Sequence, residues 1–234
     1  MDKSPDPADR GGRLAAVTAV FFDVGNTLID ESTEYGAWAD WLGVPRHTFS
    51  AAFGAVIAQG GDYRDVFQRF RPGFDLDAER RHRLDAGLGE YFNARDLYPD
   101  ARPCLAALKD HGYFVGLAGN QTARAGRLLG ELNLPVDLIA TSEDWGAAKP
   151  SPGFFEKLIS SAGRSPARIL YVGDRLDVDV LPAHQAGLVT GLIRRGPWGY
   201  VFPRSPDSAI ADLRINSLDE LPGSLALSIG NQPC

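Results

Sequence analysis

Short runs of β-branched and aromatic residues alternate along this chain with helical patterns, and that alternation admits very few folds. Val17 to Phe22, Tyr113 to Ala118, Val136 to Ala140, Ile169 to Val172 and Val189 to Ile193 read as buried strands. Between them lie a helical pattern from Ala101 to Lys109 with a stop at Gly112, a helix opening at Pro152, and another running through Ala186. Strands alternating with helices predict an α/β fold built on a doubly wound, parallel, Rossmann-like sheet. A chain of 234 residues holds one such core with room for a smaller insertion.

The alternation fails once. From Ser32 to about Leu97 no good buried strand occurs, only amphipathic patches at Tyr35–Leu42, Phe49–Ile57, Tyr63–Phe70 and Glu79–Phe92. A parallel crossover needs only about a dozen residues, so this interval predicts an inserted α-helical cap spanning 32–99. The core is then expected at 13–31 and 100–234, with 1–12 as a disordered tail rich in charge and proline. Ligands of open α/β sheets bind beyond the carboxyl ends of the strands, so an insertion leaving the first strand there would cover the site.

Charge and composition narrow the partners. The formal net charge of -6 gives no electrostatic reason to expect nucleic-acid or anionic-membrane binding. No apolar run approaches the roughly 20 residues that span a bilayer. Met1 to Gly12 lacks the apolar core of a secretion signal, which makes the cytoplasm the expected location. Two isolated cysteines, Cys104 and Cys234, fit a reducing compartment, with Cys104 expected as a small buried hydrophobe. Oligomeric state is not set by the sequence.

Four segments at predicted strand ends carry the chemistry. Phe21-Phe22-Asp23-Val24-Gly25-Asn26-Thr27 puts a carboxylate at the tip of a buried strand, a rigid mount for a nucleophile, although an Asx turn gives the same pattern. Gly119-Asn120 offers amide and backbone N–H groups to an anion, or a plain helix cap. Lys149, one of four lysines, precedes Pro150-Ser151-Pro152 and is a candidate fixed cation. Gly173-Asp174-Arg175-Leu176-Asp177-Val178-Asp179 crowds three aspartates after a strand. Clustered carboxylates resist ionisation unless a cation joins them, and oxygen ligands without Cys or His favour Mg2+. Asp177 has a second reading as a helix cap.

With these motifs in this order, the chain resembles the haloacid dehalogenase (HAD)-like hydrolases, in the phosphatase-like group with a helical cap. The similarity runs from about Thr18 to Pro222 and rests on Asp23 to Thr27, Gly119-Asn120, Lys149-Pro150 and Gly173-Asp174 with Asp179. The resemblance implies that Asp23 attacks phosphorus in a small phosphorylated substrate and forms an aspartyl-phosphate. It implies Mg2+ held by Asp23, the backbone carbonyl of Gly25 and Asp174, with Asp179 in support. Thr27, Gly119 and Asn120 would contact the phosphoryl group, and Lys149 would balance its charge.

Two positions depart from the family pattern. Family phosphatases usually carry a second, acid–base aspartate where this chain has Gly25, and Ser or Thr where it has Gly119. General acid–base help is worth 10²–10⁴-fold, so roughly 3–5 kcal/mol of barrier has no evident source. Candidate remedies are an acyl-phosphate substrate with a good leaving group, or a proton from His47 or Asp30, both of which read more simply as solvated surface. The resemblance leaves two other readings open: a metal-independent dehalogenase-type hydrolase, and a catalytically degenerate binding protein. Phosphonate-cleaving relatives use a cap lysine, and the insertion has none. Its Tyr35, Trp38, Trp41, Phe49, Arg46, Arg64, Arg69 and Arg71 are candidates for cap core or substrate pocket, and Arg194 and Arg195 are expected to face solvent.

Overall fold

A computed structural model describes residues 7–202 and 206–230. Its core is a six-stranded, fully parallel sheet: β1 (Ala19–Phe22), β2 (Phe114–Gly119), β3 (Leu138–Thr141), β4 (Ile169–Gly173), β5 (Val189–Ile193) and β6 (Leu213–Ile215), in the order β3-β2-β1-β4-β5-β6. The doubly wound α/β expectation holds. β1 has no polar side chain because it pairs on both edges and is covered on both faces. Val20 and Phe22 join one hydrophobic cluster while Ala19 and Phe21 join the other, as the two-residue period of a strand requires. β6 escaped the sequence reading because it is three residues long with Arg214 in the middle.

The helices in chain order are α1 (Pro7–Ala15), α2 (Ser32–Leu42), α3 (Arg46–Ala58), α4 (Asp65–Phe70), α5 (Leu76–Asp85), α6 (Ala101–Asp110), α7 (Ala123–Glu131), α8 (Ser142–Trp145), α9 (Pro152–Ala162), α10 (Leu181–Gln185), α11 (Gly196–Val201) and α12 (Glu220–Gly230). Helices α2 to α5 fall between β1 and β2. They carry their own aromatic cluster of Trp38, Phe49, Phe53, Phe67 and Phe74, with Phe67 and Phe74 stacked at 4.8 Å. None of the described helices is long and apolar enough to cross a membrane.

Helix α1 corrects the expectation of a tail through residue 12. Arg13 bonds the Leu188 carbonyl (2.7 Å) and pairs with buried Asp212 (3.1 Å), while Arg10 bonds the Ala209 carbonyl (2.8 Å). These anchors lie near 200 in sequence, so local composition could not reveal them. Residues 1–6 lie outside the described residues, as does Cys234. Cys104 is buried and free, and burial pushes its thiol up to about 12, which leaves it inert.

Arg194 is exposed, as expected, but Arg195 turns inward. Its guanidinium pairs with buried Asp100, donates to the Thr27 carbonyl (2.9 Å) and lies 4.1 Å over the Tyr98 ring. Asp100 also accepts from Ser217 Oγ (2.7 Å) and the Leu218 N–H (2.9 Å), so this pair ties the loop after β1 to the start of α6 and to α12. Replacing Arg195 by alanine is expected to destabilise the protein by about 3 kcal/mol, because it strands a buried carboxylate. Urea denaturation measures this, and an unchanged midpoint would contradict it.

Candidate active site

Strands β2, β1 and β4 are neighbours, so their carboxyl ends lie side by side. Asp23 follows β1, with its N–H bonded to the Val172 carbonyl (2.8 Å); Gly119 closes β2; Gly173 closes β4 ahead of Asp174. Lys149 comes from the loop after α8. Asn120 aims it from the β2 end, its Oδ1 accepting from the Lys149 N–H (2.7 Å) and its Nδ2 donating to the Lys149 carbonyl (2.9 Å). The Lys149 side chain, 2% exposed, then reaches Asp23 Oδ1 (2.7 Å) and Asp179 Oδ1 (2.5 Å). Burial opposes the charge on Lys149, but the Asp179 and Asp23 carboxylates outweigh it and hold the ammonium well above its ordinary range.

Two glycines are required by close approach. A Cβ on Gly119 would stand 2.7 Å from Asp23 Oδ1, and one on Gly173 would stand 2.6 Å from the Asp179 Cβ and closer still to its carboxyl. Gly119 thus lets the Asp23 carboxylate lie against the β2 backbone, and Gly173 lets Asp179 fold under the strand end. Asp179 is fully buried and accepts from the Arg175 N–H (3.0 Å) as well as from Lys149.

Asp23, Asp174 and Asp179 each offer an oxygen within 4.8 Å of the others. Asp174 is buried, and its Oδ2 has no hydrogen-bond partner. Burial, then the charges of Asp179 and Asp23, push the Asp174 carboxyl well above the usual carboxylate range. A lone lysine against three carboxylates leaves excess negative charge and an unused hard oxygen. That donor set fits a hard divalent cation.

The segment after Asp23 makes a tight turn. The N–H groups of Thr27, Leu28 and Ile29 all bond the Val24 carbonyl, and Asn26 adopts φ 52°, a left-handed conformation that asparagine tolerates. The turn brings Glu31 back over Gly25. Asn26 Nδ2 donates to Glu31 Oε2 at 2.6 Å. Burial, then repulsion from Asp23, pushes the Glu31 carboxyl up to about 8. Sequence reading missed Glu31, since only the turn places it there.

A cavity of about 640 Å³ opens on this cluster, lined by Asp23, Gly25, Glu31, Asn120, Lys149 and Asp174 among others. Three expected contacts differ. Thr27 is fully buried, does not line the cavity, and its hydroxyl has no partner, so it serves the turn rather than the mouth. Both ends of the Asn120 amide are occupied by the Lys149 backbone, which makes Asn120 a positioning residue for that lysine. Asp177 is exposed and pairs with Arg175 (2.6 Å) instead of capping a helix. His47 and Asp30 line a neighbouring cavity and do not reach this one. Of the insertion's arginines, Arg64 and Arg80 line the cavity; Arg46, Arg69 and Arg71 engage Asp40, Gln59 and Glu79.

Fold and site together define a class of protein: a parallel α/β core whose adjoining strand ends gather three aspartates and a lysine beneath a helical insertion. The chain belongs to the haloacid dehalogenase-like hydrolase family, whose model matches residues 17–187. It is 36% identical over 129 residues to a glyceraldehyde 3-phosphate phosphatase of Methanopyrus kandleri, a match covering 53% of this chain; it spans about half (54%) of that relative. It is 32% identical over 203 residues to a ribulose-1,5-bisphosphate 5-phosphatase of Halopiger xanaduensis, covering 75% of this chain and 84% of the relative. A solved HAD phosphatase from Thermococcus onnurineus superposes with a TM-score of 0.57 at 25% identity, covering 89% of this chain and 98% of that one.

Proposed function

We propose that this protein is a Mg2+-dependent phosphatase of a small phosphorylated metabolite, acting through an aspartyl-phosphate at Asp23. The observation that carries the reading is the buried Asp23–Lys149–Asp179 ion-pair set beside Asp174, whose Oδ2 is unpartnered. Asp23, Asp174 and the Gly25 carbonyl would hold the cation, with Asp179 in support by fixing Lys149 and the Arg175 N–H. When bound, Mg2+ would neutralise charge on the carboxylates and on the phosphoryl oxygens.

Asp23 attacks phosphorus, the bond to the leaving oxygen breaks, and water then cleaves the acyl phosphate to release inorganic phosphate and restore the carboxylate. Lys149 offsets negative charge as phosphorus becomes five-coordinate, and its fixed position means little reorganisation accompanies the step. Arg64 and Arg80 at the cavity wall suit a second anionic group on the substrate. Residues 32–99 act as the cap over a core that includes helix α1 and runs through 7–31 and 100–230, in a cytoplasmic protein with no nucleic-acid or membrane partner. The acidic cluster favours metal-assisted phosphoryl transfer over metal-independent dehalogenation, which has no use for an unpaired Asp174.

Phosphate release tests this on glyceraldehyde 3-phosphate, ribulose bisphosphate and acetyl phosphate, with Mg2+ or EDTA. Release that needs Mg2+ and falls by at least about 10³-fold in Asp23→Asn is expected. Release that persists in EDTA, or survives Asp23→Asn, would sink the reading.

A further inference from the structure

An alkyl phosphate leaves an alkoxide behind, so its P–O bond breaks slowly unless a proton reaches that oxygen. Most polar groups at the cavity are committed elsewhere. Lys149 holds Asp23 and Asp179, Glu143 accepts from the Ala123 N–H (2.7 Å), and Asp177 faces Arg175. Glu31 differs. Its carboxyl carbon lies 2.7 Å, and Oε2 3.1 Å, from the point where a Cβ on Gly25 would stand, with Oε1 nearer still. Glu31 and Gly25 line the same cavity as Asp23. A residue six positions along the chain therefore presents its carboxyl in the space of the side chain that position 25 lacks.

The turn fixes that placement. Asn26, adjacent to Gly25, holds Glu31 Oε2 and leaves Oε1 with no hydrogen bond to another described residue. We infer that Glu31 is a catalytic residue of this site, carrying the proton to and from the reacting oxygens. The inference rests on the phosphoryl transfer proposed above. In the first half-reaction the Asp23 oxygen–phosphorus bond forms, the bond to the leaving oxygen breaks, and the Glu31 carboxyl proton moves to that oxygen, giving an alcohol and a Glu31 carboxylate. In the second, the Glu31 carboxylate takes a proton from water as the water oxygen attacks phosphorus. Phosphate leaves, Asp23 is freed and Glu31 is protonated again.

Leaving-group dependence tests the assignment, using Glu31→Gln, which keeps the bond to Asn26 possible. On glyceraldehyde 3-phosphate, kcat is expected to fall about 10²–10⁴-fold. On p-nitrophenyl phosphate, whose leaving group needs no proton, the variant should release a burst of nitrophenol equal to the enzyme and then stall as phospho-enzyme. The Mg2+ concentration for half-maximal rate should stay near that of wild type. A carboxyl moved back to position 25, in Gly25→Asp with Glu31→Ala, should recover at least tenfold over Glu31→Ala alone, whereas Gly25→Asp alone requires the Glu31 carboxyl to move aside. Thermal melts of each variant show whether it folds, and the burst does not depend on that comparison. Equal loss on both esters without a burst, a raised Mg2+ requirement, or wild-type turnover in Glu31→Gln would each overturn the assignment. Failure of the underlying reading looks different: wild type releases no phosphate from either ester, and the role of Glu31 falls with it.

Discussion

Replacing Lys149 by methionine is expected to destabilise the metal-free protein by about 3–5 kcal/mol, the range for stranding buried charges. Methionine keeps an unbranched apolar stem, one atom shorter, beside the Tyr171 and Phe154 rings, which flank the ammonium at 5.4 and 5.9 Å. What it removes is the one cation among the described residues that bonds both Asp23 and Asp179. Those carboxylates would then face Asp174 with no positive charge between them, in a region where water screens poorly. At this chain length the loss corresponds to a fall of roughly 6–20 °C in Tm. A divalent cation supplies the missing charge, so Mg2+ should restore part of the loss and raise Tm more in the variant than in wild type. Turnover should fall by about 10²–10³-fold even with Mg2+, as when one fixed electrostatic contact is removed. Melting curves in EDTA and in Mg2+ check this, and equal Tm values in EDTA would contradict it.

Asp174→Asn should move stability the other way. The substitution removes a buried carboxylate that has an unpartnered oxygen and lies within reach of two others. Asparagine has no charge to bury or neutralise there, so it is expected to stabilise the metal-free protein by about 1–3 kcal/mol at neutral pH. The sign follows from Asp174 being held well above the usual carboxylate range by burial and by Asp179 and Asp23. A carboxyl raised in the folded state contributes its stability in acid and loses it as pH rises through the folded value. The gain from asparagine is therefore absent below about pH 4, where the unfolded carboxyl is also protonated, and grows above it. The same change should abolish stabilisation by Mg2+ and cut turnover at least about 10²-fold, a trade of activity for stability. Denaturation across pH, with and without Mg2+, separates the two effects. A variant less stable than wild type in EDTA at neutral pH would count against an acidic cluster poised for a cation.

The residues legible in the sequence were those whose position follows from one strand. Asp23 and Asp174 each end an apolar run, and the parallel order of β2, β1 and β4 brings such ends together. Lys149 and Asp179 were visible from their motifs, although the ion pair that joins them spans 30 residues. Orientation was not legible. Thr27 and Asn120 are in the expected loops, but one hydroxyl is enclosed and one amide is bonded to Lys149. Glu31 was invisible because its role depends on the left-handed turn at Asn26 and on the empty space at Gly25. An Asn followed five residues later by an acid, just after Asp-x-Gly, is the signal that could have found it. Arg195 and helix α1 were misread for a related reason: their partners Asp100 and Asp212 are far away in the chain.

Phosphorylation of Asp23 is the step on which the proposed chemistry depends. Wild-type protein mixed with p-nitrophenyl phosphate and Mg2+, quenched in acid within one turnover and weighed intact, tests it directly. One added phosphoryl group per chain is expected, located on the peptide carrying Asp23, absent in EDTA and absent in Asp23→Asn. Turnover with no adduct at any quench time, or an adduct on another residue, would contradict it.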